Sequence, residues 1–250
     1  LTPTLWQPPP SNLSLGPGQV HIWRVALNQT RPIRDRLQKT LTADEYNRAN
    51  RFHFAADRAR FVTARGVLRL LLGQYLELAA QEIRFDYTAF GKPVLPGGNL
   101  VFNLSHADDL ALLAFTLNRG VGVDVERVRP EVLNEAIAQE FFSAAEVAAL
   151  QALPPADQPA AFFAGWTRKE AYIKARGQGL SIPLDSFDVS LTPGQPARLL
   201  ASREDPAEPA RWSLVELFPG PGYAAALAVE GHTYQPDYWQ FEPDMIDNLP

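Results

Sequence analysis

The chain has no cysteine, which excludes disulfides, thiolate metal sites and cysteine nucleophiles together. It has no excess of positive charge either. Lysine and arginine number 23 against 28 acids, a net charge of −5, so nucleic acid is not an expected partner without a concentrated basic patch. No apolar run reaches membrane-spanning length; the longest, LALLAFTL, is the size of a strand. The opening stretch LTPTLWQPPPSNLSLGPG lacks the basic-then-apolar order of a secretory signal. It reads as a Pro-rich, loosely ordered lead-in over 1–18. These exclusions point to a cytoplasmic protein that neither crosses a membrane nor binds nucleic acid. With 250 residues, 46% of them hydrophobic, the chain is long enough to bury a real core.

Two halves follow the same order of elements. QVHIWRVAL reads as a strand, and TADEYNRANRFHF carries a helix start at Thr42 with an acidic first turn. A long helix is predicted from about Ala59 to Leu78. Its Phe61, Ala64, Leu68, Leu71, Tyr75 and Leu78 step by three and four into one buried stripe. A strand (EIRFDYTA), a turn (FGKPVLPGG) and a strand–loop–strand unit (LVFNLSHADDLALLAFTL) come next. In the second half the helix AAFFAGWTRKEAYIKAR ends at the C-cap signal Gly177. The strand SFDVSL and a hairpin, RWSLVEL and YAAALAVE joined by FPGPG, complete it. This pattern predicts an α+β fold of two similar lobes, residues 19–119 and 120–232, followed by a tail over 233–250. Each lobe is a long helix on a small, mainly antiparallel sheet, and a cleft between lobes is a common ligand site.

The second lobe opens with GVGVDVERV, residues 120–128. Alternation on a strand sends Val123 and Val125 to the core and sets Asp124 beside Glu126 on the other face. Two carboxylates held that close repel each other and need a positive partner. On the helix FFAGWTRKEAYIK, Thr167, Glu170 and Lys174 share one face, beside an apolar stripe of Phe162, Trp166 and Ile173. Alone, Glu170 and Lys174 read as a solvated i, i+4 ion pair. Together with Asp124 and Glu126 they supply three hard oxygen donors and a lysine, a set suited to Mg²⁺ and a phosphate. Asn103, Ser105 and His106 in FNLSH stand near a strand end, where side chains often serve function. Lys92 in FGKP, and Arg48, Arg51 and Arg60 around the first long helix, are candidate anion ligands or simply solvated surface groups.

In the order FGKP, FNLSH, GVDVE and WTRKEAYIK, the chain resembles the 4′-phosphopantetheinyl transferases of the Sfp type over about Arg48 to Ser190. The resemblance implies two pseudo-symmetric α+β lobes with coenzyme A in the cleft between them. It implies Mg²⁺, with Mn²⁺ as a substitute, on Asp124, Glu126 and Glu170, and Lys174 on the pyrophosphate. Asp124, Glu170 and Lys174 become the catalytic group. Coenzyme A contacts fall on Ser105, His106, Gly91, Lys92, Pro93, Arg48, Arg51 and Arg60, besides Asp124, Glu170 and Lys174, with Arg48 and Arg60 at the basic positions that meet the 3′-phosphate. The implied reaction moves the phosphopantetheine arm of coenzyme A to a serine of an apo acyl or peptidyl carrier protein and releases 3′,5′-ADP. A monomer suffices, since one chain holds both lobes.

Glu45 stands where some relatives place a lysine. Glu146, in FFSAAE, matches a family segment but also completes a capping box with Ser143. Because carrier proteins are usually acidic, docking on a net-negative enzyme calls for apolar contact and a local basic patch including Arg168 and Arg176. A non-catalytic coenzyme A or carrier-binding module, and a Mg²⁺-dependent nuclease or phosphodiesterase, are the alternative readings.

Overall fold

Strand β1 (Gln19–Ala26) is buried on both faces and so belongs inside the molecule. In the computed structural model, which describes residues 5–129 and 135–247, it lies inside a four-stranded sheet. β4 (Leu100–Ala107) and β5 (Leu110–Leu117) form an antiparallel hairpin around Asp108–Asp109, with Asp108 at a φ of 48°. β5 pairs with β1 antiparallel, and β11 (Gln235–Gln240) pairs with β1 parallel. The second lobe holds a three-stranded antiparallel sheet, in which β10 (Tyr223–Glu230) lies between β6 (Val121–Arg127) and β9 (Trp212–Leu217). A separate short hairpin pairs β7 (Phe187–Val189) with β8 (Leu199–Ser202).

Each sheet carries one long helix. On the first, α3 (Ala55–Leu76) packs against Trp23, Val25, Leu113 and Phe115. On the second, α6 (Gln158–Arg176) covers Ala226 and Ala228 and stops at Gly177, whose φ of 72° suits glycine. The faces turned away from the helices share a third core, with Val20, Ile22, Leu112 and Ala114 from one sheet and Val121, Val123, Val125 and Leu227 from the other. The smaller helices α4 (Glu135–Phe141) and α5 (Ala144–Gln151) flank α6. None of the described helices is long and apolar enough to cross a membrane.

Several expectations shift in detail. The first long helix begins at Ala55 and ends at Leu76, and Leu78 is exposed. Its buried surface is also wider than one stripe, because α1 (Arg31–Gln38) packs on a second side, against Gly66, and α2 (Ala43–Ala49) lies alongside. Arg69 is buried there, donating to Ala80 O and Ile83 O at 2.7 and 3.1 Å. Those carbonyls serve the guanidinium instead of a ladder, and the strand predicted over EIRFDYTA shrinks to β2 (Asp86–Tyr87), paired with β3 (Pro93–Val94). The described part of the lead-in, residues 5–18, is tied down: Leu13 is buried in the first core, Trp6 Nε1 donates to Phe218 O at 2.9 Å, and Gln7 bridges to Trp239. The segment beyond 232 supplies β11 to the first lobe's sheet.

Candidate active site at the junction of the lobes

β4 is an edge strand of one sheet and β6 an edge strand of the other, and the two edges come together. No backbone ladder joins them; side chains of the first lobe do. Asn103 Oδ1 accepts from Val123 N at 2.8 Å, and Ser105 Oγ donates to Asp124 Oδ1 at 2.8 Å. The glycines that enter β6 have a packing reason. A Cβ on Gly122 would lie 2.1 Å from Ala171 O and 2.4 Å from Ala175 N, and one on Gly120 would strike the Trp212 ring at 2.6 Å. Helix α6 therefore rests directly on the β6 backbone, which brings its Glu170–Lys174 face over Asp124.

Lys174 Nζ meets Asp124 Oδ1 at 2.5 Å and Ser105 Oγ at 3.2 Å. Lysine 174 is thus the positive partner that the paired acids require. It satisfies only one oxygen, however: Asp124 Oδ2 is buried with no hydrogen-bond partner among the described residues. At Glu126, burial, reinforced by Asp124 and Glu170, outweighs the opposing charges of Lys174 and Arg129 and pushes its carboxyl up to about 7. Glu170 is also raised, first by burial, with Lys174 opposing and Asp124 adding. Among the described residues no three His, Cys, Asp or Glu converge tightly enough to hold an ion unaided. The orphaned Asp124 oxygen and two disfavoured carboxylates nevertheless form a hard-oxygen set that suits Mg²⁺, an ion that completes its shell with water and substrate phosphate.

His106 borders two cavities. One, of about 260 Å³, is lined by Arg48, Phe61, Arg65, Tyr87, Gly91 and Pro93. The other, of about 280 Å³, is lined by Asp108, Glu126, Arg127, Arg129 and Phe163. Burial and the charges of Lys174 and Arg60 lower the His106 pKa, with Asp57 opposing.

Two family descriptions match the chain: the 4′-phosphopantetheinyl transferase superfamily over residues 120–228, and the N-terminal region of a 4′-phosphopantetheinyl transferase over 29–118. The 4′-phosphopantetheinyl transferase HetI of Nostoc sp. (strain PCC 7120) is 42% identical over 94% of this chain and 98% of that one. The chain belongs to the 4′-phosphopantetheinyl transferase superfamily. Sfp of Bacillus subtilis (strain 168) is 32% identical over 63% of this transferase and 69% of its own length. The human L-aminoadipate-semialdehyde dehydrogenase-phosphopantetheinyl transferase is 30% identical over 62% and 54%. A solved holo-[acyl-carrier-protein] synthase of Thermotoga maritima overlaps 45% of this chain and 62% of that one at 22% identity and a TM-score of 0.37, too slight a likeness to argue from.

The remaining site candidates of the transferase fall into three groups. Gly91, at a φ of 79°, and Pro93 line the first cavity, and Arg48 stands on its wall with its guanidinium over Phe61. Arg60 is engaged by Asp57 and Asp109, while Arg51 is exposed and does not line that cavity. Lys92 points away from the cavity into the joint between lobes, with Nζ donating to Lys174 O at 2.7 Å and Val121 O at 3.3 Å. Arg65 was not singled out from sequence, and its only signal was i, i+4 spacing from Phe61 and to Arg69. Glu45 draws Arg65 and Arg69 to itself, at 3.2 and 2.5 Å, so the acid in the basic cluster is spent internally.

Two assignments change. Arg168 is only 2% exposed and donates to Ser190 O and Glu216, so it is no docking surface. Arg176 is mostly buried and tied to Tyr172, Glu208 and Glu204. Both belong to the scaffold because α6 lies between sheet and hairpin with little free circumference. Glu146 does complete the capping box, accepting from Ser143 N at 2.8 Å. It also accepts from Val189 N at 2.8 Å and pairs with fully buried Lys169 at 2.7 Å.

Proposed function

We propose that this transferase moves the 4′-phosphopantetheine arm of coenzyme A to a serine hydroxyl of an apo carrier protein, releasing 3′,5′-ADP, with Mg²⁺ as its ion. The observation that carries the reading is the meeting of Asp124, Glu126, Glu170, Lys174, Ser105 and His106 at one interlobe joint. Asp124 Oδ2, Glu126 and Glu170 are the groups that would hold the ion, and when bound it would neutralise the pyrophosphate and the leaving 3′,5′-ADP. Lys174 and Ser105 direct a charge and a hydroxyl at the same phosphates, where preorganised donors count most in a water-poor site. The first cavity, with Arg48 and Arg65 on its wall, suits the anionic nucleotide half.

The Glu170 carboxylate makes no hydrogen bond or ion pair among the described residues, and it is the group we assign to accept the serine proton as oxygen attacks phosphorus. The bond formed is serine O–P; the bond broken is the pyrophosphate P–O, and its electron pair leaves with 3′,5′-ADP. Both walls of the cleft come from one chain, so the working unit in this reading is a monomer, placed in the cytoplasm. The test is intact-mass spectrometry of an apo carrier protein incubated with the enzyme, coenzyme A and Mg²⁺, beside a chelator control. A metal-dependent gain of one phosphopantetheine group supports the reading. Absence of any gain across several carriers overturns it.

A further inference from the structure

The β4 and β6 edges are joined by three side chains of the first lobe. Asn103 takes the Val123 N–H, Ser105 takes the Asp124 carboxylate, and Lys92 takes the Val121 carbonyl. The first two lie on β4 itself. Lys92 reaches from the turn that precedes β3, and its ammonium lies between two carbonyls of the second lobe, Val121 O at the start of β6 and Lys174 O in the last turn of α6. Lys174 O already accepts from Gly177 N at 3.2 Å, and the ammonium adds a second donor at the negative end of the helix dipole.

The residue so held is the one whose side chain reaches Asp124 Oδ1 and Ser105 Oγ. The geometry of the turn separates Lys92 from its neighbours: Gly91 and Pro93 line the first cavity, and Lys92 does not. Its stem packs near Gly177, the left-handed cap of α6, where an added Cβ would lie 3.8 Å from Lys92 Cδ. The ammonium is thus used inside the protein. Its three donors are a good match for two fixed carbonyls, whereas a planar guanidinium is built for a carboxylate or phosphate fork.

We infer that Lys92 is a positioning residue that fastens the end of α6 to the first lobe and thereby sets the Lys174 ammonium against Asp124, rather than a ligand of coenzyme A. The inference rests on the transferase reading above and departs from what the family resemblance implies for Lys92. A sub-ångström to ångström slip of Lys174 is the expected consequence of its loss, and misplacement on that scale costs up to about a hundredfold in rate.

The experiment compares Lys92→Met, Lys92→Arg and Lys174→Met, alone and as the pair Lys92→Met/Lys174→Met, with calorimetric binding of 3′,5′-ADP and steady-state transfer to a carrier. Expected for Lys92→Met is a kcat fall of about ten- to a hundredfold, with the carrier KM unchanged. In the Lys174→Met background the same change should have little further effect, because two residues that act through one group are not additive. Lys92→Arg should lose rate as Met does, since the fork does not fit between the two carbonyls. If Lys92 were a phosphate ligand, Arg would restore activity, Met would weaken 3′,5′-ADP binding, and its effect would multiply with that of Lys174→Met; that pattern overturns the inference. Wild-type kcat in Lys92→Met also overturns it. Failure of the wild type to transfer at all counts instead against the transferase reading. If Lys92→Met does not fold, the Arg variant alone separates the two roles.

Discussion

Replacing Gly122 by alanine adds one methyl group where, of the described glycines, a Cβ would meet its neighbours most closely. That Cβ would sit 2.1 Å from Ala171 O, where ordinary contact begins at 3.4 Å, so α6 must back away by about 1.3 Å or β6 must bend. Neither neighbour is a flexible tip, since both clashing atoms belong to the helix backbone. Overpacking of this kind costs about 1–3 kcal/mol, which for a chain of this length lowers Tm by roughly 2–12 °C. The functional effect should exceed the stability effect. Glu170 and Lys174 ride on α6 while Asp124 and Glu126 ride on β6, so separating the elements pulls apart the two halves of the site. The 2.5 Å contact between Lys174 and Asp124 cannot survive such a shift unchanged. The expected outcome is a folded protein whose kcat is lower by about a hundredfold, read by a stopped carrier assay at a temperature well below Tm. A Gly122→Ala variant with wild-type Tm and turnover would refute the claim that direct helix-on-strand contact assembles the site.

Asp124→Ala should cut kcat by roughly 10²–10³ with the fold intact, because Lys174, which loses its partner, is part-exposed and can turn to water; full activity would remove Asp124 from the catalytic group. Glu146→Ala strips the partner from Lys169, which is fully buried, and unties Ser143 N and Val189 N. Denaturant titration should show a loss of about 3–5 kcal/mol, and a loss below about 1 kcal/mol would contradict that role. His21 is buried against Tyr75 and Asp237, and burial lowers its pKa from 6.5 to about 4, with Asp237 opposing. The unfolded state therefore binds the extra proton first, and stability attributable to His21 is complete above pH 6.5 and drains away towards pH 4. The loss approaches about 3 kcal/mol and should be missing from the acid profile of His21→Gln.

The parts of this fold and site visible in the sequence are those written in local periodicity. β1, the β4–β5 hairpin, β6 and the β9–β10 hairpin fall where strand-length apolar runs are bounded by turn residues, and Gly177 ends α6 with a left-handed residue. Strand and helix periods pair Asp124 with Glu126 and Glu170 with Lys174; joining the two pairs into one candidate site took their shared chemistry and the family resemblance. What failed depends on contacts between distant segments. Nothing near Arg168 says that it will meet Ser190 and Glu216, and nothing near Lys92 says that its ammonium will turn to Val121 and Lys174. A surface arginine and a buried one look alike until the hairpin that covers it is placed. The Pro-rich lead-in misled for the same reason: its composition suits a loose segment, yet Leu13 and Trp6 find partners elsewhere in the chain.

The parallel pairing of β11 with β1 ties the last described strand to the first. Arg24 and Gln240, hydrogen-bonded at 2.6 Å, are 216 residues apart, so the first lobe's sheet closes only after the entire second lobe has been made. Such a closure is slow in entropic terms and comes late. It also means that the two lobes are not separable pieces. A fragment ending at Arg119 would keep α3 and the β4–β5 hairpin but leave the open edge of β1 facing solvent, a bare template for pairing with another copy. The lobes look like a duplicated unit laid out one after the other, but in assembly the second is threaded through the completion of the first.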